Sequence, residues 1–206
     1  MTLFEKIIQR GIAKYGEHPS EFTDKQADTG HSYADPYSRL LSKKDNVRLL
    51  EVGISSGGSL WLWRQFFNSY NITAIDIAAT WFVIQDFQSE IEQDPNITLK
   101  WNIDSTTSAA YKDLESFDYI IDDGDHSPES QAKTFIHAWK FLKPGGVYFI
   151  EDVQNDHCIP QLASVITTHC TDAIIELYYG QKRQFGRTDD LMIIVRKRDD
   201  NENSIT

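Results

Sequence analysis

From residue 47 onward, short apolar runs alternate with amphipathic stretches, and this alternation limits the possible folds more than any other feature. Strands are predicted over 47–53, 72–77, 97–101, 117–122 and 147–152. Helices are predicted over 59–67, 81–91, 109–114, 128–142 and 160–168, the fourth closed by Lys143-Pro144-Gly145-Gly146. Such alternation with short connections makes a doubly wound parallel sheet. Two further runs, 174–179 and 191–195, are separated only by the loop 180–190, too short for a helical crossover, so they should pair antiparallel. The expected fold is therefore α/β, a mostly parallel seven-stranded sheet with an antiparallel last strand. Upstream, 3–15 carries apolar residues at helical spacing, 16–32 is polar, and 33–41 reads as a helix with Asp35 as cap and Pro36 in its first turn. The expected layout is a helical or lid segment over 1–42, the α/β domain over 43–197 and a flexible tail over 198–206.

Charge and cysteine usage exclude some partners. The chain has 31 acidic against 20 basic residues, a formal net charge of −11. A wide contact with nucleic acid would set phosphates against a like-charged surface. Cys158 and Cys170 form neither a CxxC motif nor a disulfide framework and read as free thiols of a reducing compartment. There is no apolar run of membrane-spanning length and no secretory pattern at Met1–Lys6, so a cytoplasmic address is expected.

The polar residues collect at the carboxyl ends of the strands, where open α/β sheets bind ligands. The first turn, Glu51-Val52-Gly53-Ile54-Ser55-Ser56-Gly57-Gly58-Ser59, is neither GxGxxG nor a Walker A loop, but its glycines let backbone approach a ligand at a helix start. Asp76 ends the second strand, where a carboxylate can accept from two ribose hydroxyls. Asp104 follows the third strand, within reach of an adenine amino group. A nucleoside site built of acids disfavours a pyrophosphate and suits a positively charged ligand, as the sulfonium of S-adenosylmethionine is. The fourth strand breaks from Tyr119-Ile120-Ile121 into Asp122-Asp123-Gly124-Asp125-His126, and the fifth ends in Glu151-Asp152. On neighbouring strands Asp123, Glu151 and Asp152 could converge. Hard oxygen donors without cysteine suggest Mg²⁺ or a similar divalent ion, with His126 as a base beside it.

These motifs resemble the class I S-adenosylmethionine-dependent methyltransferases: the turn Glu51-Val-Gly-x-x-x-Gly-Gly-Ser59, Asp76, and above all Asp122-Asp123-Gly-x-His126 with Glu151-Asp152. Within that superfamily they look like the metal-dependent macrolide sugar O-methyltransferases of the mycinamicin and demethylmacrocin type, and the cephalosporin-hydroxylase-like group. The resemblance spans about 23–197 and includes Thr23-Asp24-Lys25 and His31-x-Tyr33-x-x-x-Tyr37. It implies a Rossmann-like methyltransferase fold, metal ligands at Asp123, Glu151 and Asp152, and a catalytic base at His126. It implies cofactor contacts at Glu51, Gly53, Ser59, Asp76, Asp104 and Ser105, with Asp122 ending its strand beside the cofactor. Asp125 departs from the serine usual at its position, and could bond His126 or face solvent. The implied reaction is Mg²⁺-dependent O-methylation of a small acceptor with neighbouring hydroxyls, a sugar moiety or another vicinal diol. Alternatives are a non-catalytic cofactor-binding accessory protein or an NAD-binding Rossmann protein; separately, the helix at 3–15 could serve a homo-oligomer or only cap the core.

Overall fold

The computed structural model describes residues 1–16, 22–25, 30–42, 45–78, 85–171 and 173–199. Its central strand, β1 (Val47–Val52), shows why the sheet forms. Val47 and Leu49 pack into the apolar layer on one face, while Leu50 and Val52 pack into the layer on the other. With both faces buried, neighbours must supply the backbone hydrogen bonds, as in parallel sheets. β2 (Tyr70–Asp76) and β4 (Phe117–Asp122) flank β1 in parallel; β3 (Ile97–Trp101) and β5 (Leu142–Ile150) extend the sheet outward. β7 (Leu191–Lys197) then pairs antiparallel with both β5 and β6 (Ala173–Tyr179). The order β3-β2-β1-β4-β5-β7-β6 reverses direction at β1 and opens the crevice between the ends of β1 and β4.

Helices cover both faces. On one side lie α1 (Leu3–Tyr15), α2 (Ala34–Leu40), α3 (Gly58–Phe66) and α4 (Gln85–Glu92). The other carries α5 (Pro128–Ala138) and α6 (Ile159–His169). A capping box starts α1: Thr2 Oγ1 accepts from Glu5 N at 3.2 Å and Glu5 Oε2 from Thr2 N at 2.5 Å. Its apolar stripe, Phe4, Ile7 and Ile8, is buried, and the Phe4 ring contacts Tyr37, Trp63 and Phe66. The first helix is thus part of the main core. None of the described helices is long and apolar enough to cross a membrane.

Several boundaries differ from expectation. The N-cap of α2 is Tyr33, so Asp35 and Pro36 lie inside the first turn and Asp35 supports the helix by its charge. The helix expected over 109–114 is a single 3-10 turn, Ser108–Tyr111. The helix over 128–142 ends at Ala138 and passes through one 3-10 turn, Trp139–Phe141. Lys143–Gly146 then belongs to the irregular start of β5, where the register against β4 shifts between Phe117 and Tyr119. The start of the helix expected over 81–91 lies outside the described residues.

Gly53 fixes how closely the ends of β1 and β4 can approach. Its φ is +91°, and a Cβ there would stand 2.0 Å from the Asp123 carbonyl oxygen. Gly53→Ala is expected to cost about 2 kcal/mol or more, from backbone strain plus displacement of the Asp123 turn. Urea unfolding of the two proteins measures this difference.

Candidate functional site

Above the ends of β1, β2, β3, β4 and β5 lies a cavity of about 840 Å³. Its floor is the turn Gly53–Ser56 with Gly58 and Ser59. Its flanks are Asp76–Ala78, Ile103–Thr106, Asp123–His126 and Asp152, and a strap of the N-terminal segment, Phe22–Lys25, forms a further wall. Of the site residues inferred from sequence, Gly53, Ser59, Asp76, Asp104, Ser105, Asp123, His126 and Asp152 line this one space. Glu51, Asp122 and Glu151 do not; all three are buried behind it.

The alternation along the strands accounts for that division. Glu51 shares a sheet face with Leu49 and lies under α3, where Trp63 Nε1 donates to its Oε2 at 3.0 Å. Burial pushes its carboxyl up to about 7, against the pull of Lys25, Ser59 and Trp63. Asp122 belongs to the opposite face and accepts from Tyr148 Oη at 3.3 Å. Burial holds its carboxyl well above the usual range.

The cavity acids at β2 and β3 are held by backbone. Asp76 Oδ2 accepts from Ile54 N at 2.8 Å and Ser55 N at 3.4 Å, and Oδ1 from Ala78 N at 3.0 Å. This carboxylate therefore shapes the glycine turn as well as facing the cavity. Asp104 Oδ1 accepts from Thr106 N at 2.9 Å and from its hydroxyl at 2.6 Å, and those bonds depress its pKa. Ser105 shares a hydrogen bond with Thr134 at 3.1 Å.

At β4 and β5 the strap enters the acid cluster. Lys25, fully buried, donates to Asp123 Oδ2 at 2.8 Å and to Glu151 Oε1 and Oε2 at 2.9 and 2.7 Å. Burial opposes its charge, but Asp123 and Glu151 outweigh burial and hold the ammonium well above its ordinary pKa. Burial, with Asp123 and Asp152 nearby, pushes Glu151 well up despite Lys25. Tyr37 Oη also donates to Glu151, and Gln131 Nε2 to its carbonyl at 2.7 Å. Asp152 has a φ of +52° and its side chain turns into the cavity. Its Oδ1 accepts from Tyr33 Oη at 2.8 Å; its Oδ2 lies 3.2 Å from His31 Nε2 and 3.8 Å from His126 Nε2. Burial would raise this carboxyl, but His31, His126 and Tyr33 together outweigh burial and it lies below the usual value.

The strap is tied to the far end of the chain. Ser32 N donates to Asp190 Oδ1 at 2.8 Å, and Arg187 Nη2 lies 2.6 Å from His31 Nε2. Part of the basic, aromatic loop 180–190 thus braces the site from behind; Phe185 at its tip is 79% exposed. Asp125 bonds neither His126 nor solvent alone. Its Oδ2 accepts from Ser130 Oγ at 2.5 Å and Ser127 Oγ at 3.0 Å, so it closes the start of α5 and holds the turn that presents His126. Lys25, His31, Tyr33 and Tyr37 had no role read from sequence. They lie more than 80 residues from the strand-end acids they touch, and only the resemblance over 23–37 pointed to them.

The donor chemistry fits a hard divalent ion. Asp123, His126 and Asp152 offer atoms that all lie within 4.8 Å of one another, and so do Asp24, His31 and Asp152. The cavity likewise fits a nucleoside carrying positive charge, with Asp76 and Asp104 on one flank and Asp123 and Asp152 on the other.

Comparison with known proteins agrees with the architecture. Residues 50–153 match a family model described as a methyltransferase domain. Demethylmacrocin O-methyltransferase from Streptomyces fradiae is 30% identical over 136 residues, 60% of this chain and 32% of the relative. Mycinamicin VI 2''-O-methyltransferase from Micromonospora griseorubida is 29% identical over 139 residues, 60% of this chain and 32% of the relative. The chain thus spans about a third of the length of these curated relatives. Among solved structures, MycE methyltransferase from the mycinamycin biosynthetic pathway, in complex with Mg, SAH and mycinamycin VI, superposes with a TM-score of 0.68 at 20% identity, covering 98% of this chain and 56% of that one. The relatives named are O-methyltransferases, which favours neither the accessory-protein nor the NAD alternative.

The raised Glu51 carboxyl makes stability depend on pH. Its folded pKa of about 7 exceeds the ordinary 4.5, so the folded state binds the extra proton and loses stability as pH rises from 4.5 through 7. Glu51→Gln should remove about 3 kcal/mol of that loss. Chemical denaturation of both proteins at pH 4.5 and 8 reads the difference in slope.

Proposed function

The chain belongs to the methyltransferase-domain family, and on that premise we propose that it is an S-adenosylmethionine-dependent O-methyltransferase. Its acceptor is a hydroxyl of a small molecule, a sugar moiety or another vicinal diol, and its metal cofactor is Mg²⁺ or a similar divalent ion. The observation that carries this reading is a single cavity in which Asp76 and Asp104 share space with Asp123, His126 and Asp152. The relatives named above are by name O-methyltransferases of demethylmacrocin and of mycinamicin VI, small molecules, which supports the acceptor class.

S-adenosylmethionine supplies a methyl group on a sulfonium, and a bound divalent ion supplies charge that lowers the pKa of an acceptor hydroxyl. The chain's own residues do the rest. Asp76, its carboxylate oriented by three backbone N–H donors, keeps a lone pair for ribose hydroxyls. Asp104 and Ser105 face the nucleoside end, and the Gly53 turn lets backbone lie against it. Asp123 and Asp152 would hold the ion from the cavity side, with the third acid of the set, Glu151, joined to Asp123 through Lys25. His126 is about one-third exposed, its Nε2 lies 3.8 Å from Asp152 Oδ2, and its place in the cavity lining suits it to take the acceptor proton as general base. Glu51, Asp122 and Glu151 act from behind the cavity wall.

His126→Ala should lower turnover about 10²–10⁴-fold, the usual worth of a general base, and leave S-adenosylhomocysteine affinity unchanged by calorimetry. The assay is S-adenosylhomocysteine release over a panel of glycosides and diols, with and without Mg²⁺. Wild-type turnover by His126→Ala would remove the base assignment; full activity in excess chelator would remove the metal.

A further inference from the structure

Four of the eight large apolar side chains that stand exposed among the described residues collect at one edge of the sheet: Ile174, Leu177 and Tyr179 on β6, and Phe185 in the turn after it. β6 pairs with β7 alone, so its outer side has no neighbouring strand. The direction of the backbone along that edge follows from two bonds. Gly180 N donates to Asp190 O at 2.8 Å, one step beyond the opposed pair Tyr179 and Leu191, whereas Leu191 O accepts from Val153 N on the β5 side. Alternation then turns the N–H and C=O groups of Ile174, Glu176 and Tyr178 towards β7, and those of Ile175, Leu177 and Tyr179 to the open edge. No backbone group of the described residues bonds these outward groups.

The devices that usually guard such an edge are missing. Ala173–Tyr179 holds no lysine, proline or glycine, and its register with β7 runs unbroken. Nor does charge keep a second copy away, although the chain carries −11. The one charge on the strand, Glu176, is already paired with Arg39 by two hydrogen bonds, and the turn beyond adds Lys182 and Arg183.

We propose that β6 is the contact strand of a two-fold dimer, running antiparallel to β6 of a second copy about an axis at Leu177. Outward groups must meet outward groups, so the axis falls on Ile175, Glu176 or Leu177. An axis at Glu176 opposes two carboxylates. An axis at Ile175 leaves Tyr179 uncovered. The axis at Leu177 sets Leu177 against its own copy, Ile175 against Tyr179 and Glu176 against Tyr178, which gives aromatic and branched side chains across the strands and no like charges. A closed pair also consumes both open edges at once. The dimer is independent of the cavity chemistry.

Sedimentation velocity on the full chain tests this. The wild type should sediment as a dimer at micromolar concentration, and removal of residues 200–206 should leave it so. Leu177→Lys and Leu177→Glu each oppose like charges at the axis and should weaken the dimer at least about tenfold. Mixed one to one, the two variants should recover it, because the register then opposes unlike charges. Circular dichroism checks that they are folded; Tyr179→Lys, at a half-exposed position, replaces either one that is not, and should weaken the dimer likewise. A monomeric wild type overturns the proposal, as does a variant that dimerises with wild-type strength. A mixture that stays monomeric overturns the register and the two-fold pairing with it, and a dimer lost with residues 200–206 gives the contact to the tail instead of β6.

Discussion

The site depends on a single backbone approach. Asp123 N donates to Val52 O at 2.9 Å just beyond the paired ends of β1 and β4, and Asp123 O presses into the space where residue 53 would carry a side chain. That approach brings the turn with the cavity-facing backbone against the turn with Asp123 and His126. One further strand over, Glu151 N donates to Asp122 O at 3.0 Å and carries the succession on to Asp152. The positions of the polar groups thus follow from sheet register, and register follows from burial on both faces.

The same alternation sorts the acids into two kinds. Asp104, Asp123 and Asp152 stand past the ends of their strands, Asp76 is the last residue of β2, and all four reach the cavity. Glu51 and Asp122 stand within their strands and are committed to one face of the sheet or the other. A carboxylate so placed must be compensated or neutral. Glu51 leans on Trp63 and Lys25, and Asp122 on Tyr148, and both are pushed upward by burial. In a chain of net charge −11, the cluster relies on a few buried donors, Lys25, His31, Tyr33 and Tyr37 among them.

Fold class and strand positions were legible because they are written locally: runs such as Leu49-Leu50 and Tyr119-Ile120-Ile121 can only be strands buried on both faces, and the short 180–190 connection allows only antiparallel pairing. The ends of helices were less legible. Asp35 looks like a cap, yet Tyr33 is held in place by its bond to Asp152 and starts the helix two residues earlier. In the site, strand-end acids could be read from spacing, but not which of Glu151 and Asp152 faces the cavity. That choice is made by the positive φ of Asp152 and by Lys25, a residue 126 positions from Glu151. Asp125 was opaque for a simpler reason: the serines it bonds, Ser127 and Ser130, open the next helix, and a helix-start role reads the same in sequence as a place beside His126.

The ties between the strap and the β7 end of the chain set an order of assembly. Ser32 bonds Asp190 across 158 residues, and Tyr33 bonds Asp152 across 119. Loop closure over such spans costs entropy before any contact repays it. On a ribosome, β1 to β5 and their helices can pair, and Lys25 can reach Asp123 and Glu151, while the chain is still growing, but His31 and Ser32 gain their ties to Arg187 and Asp190 only once those residues have emerged. The nascent domain therefore acquires its parallel strands first, and the last brace of its cavity wall arrives together with its antiparallel edge.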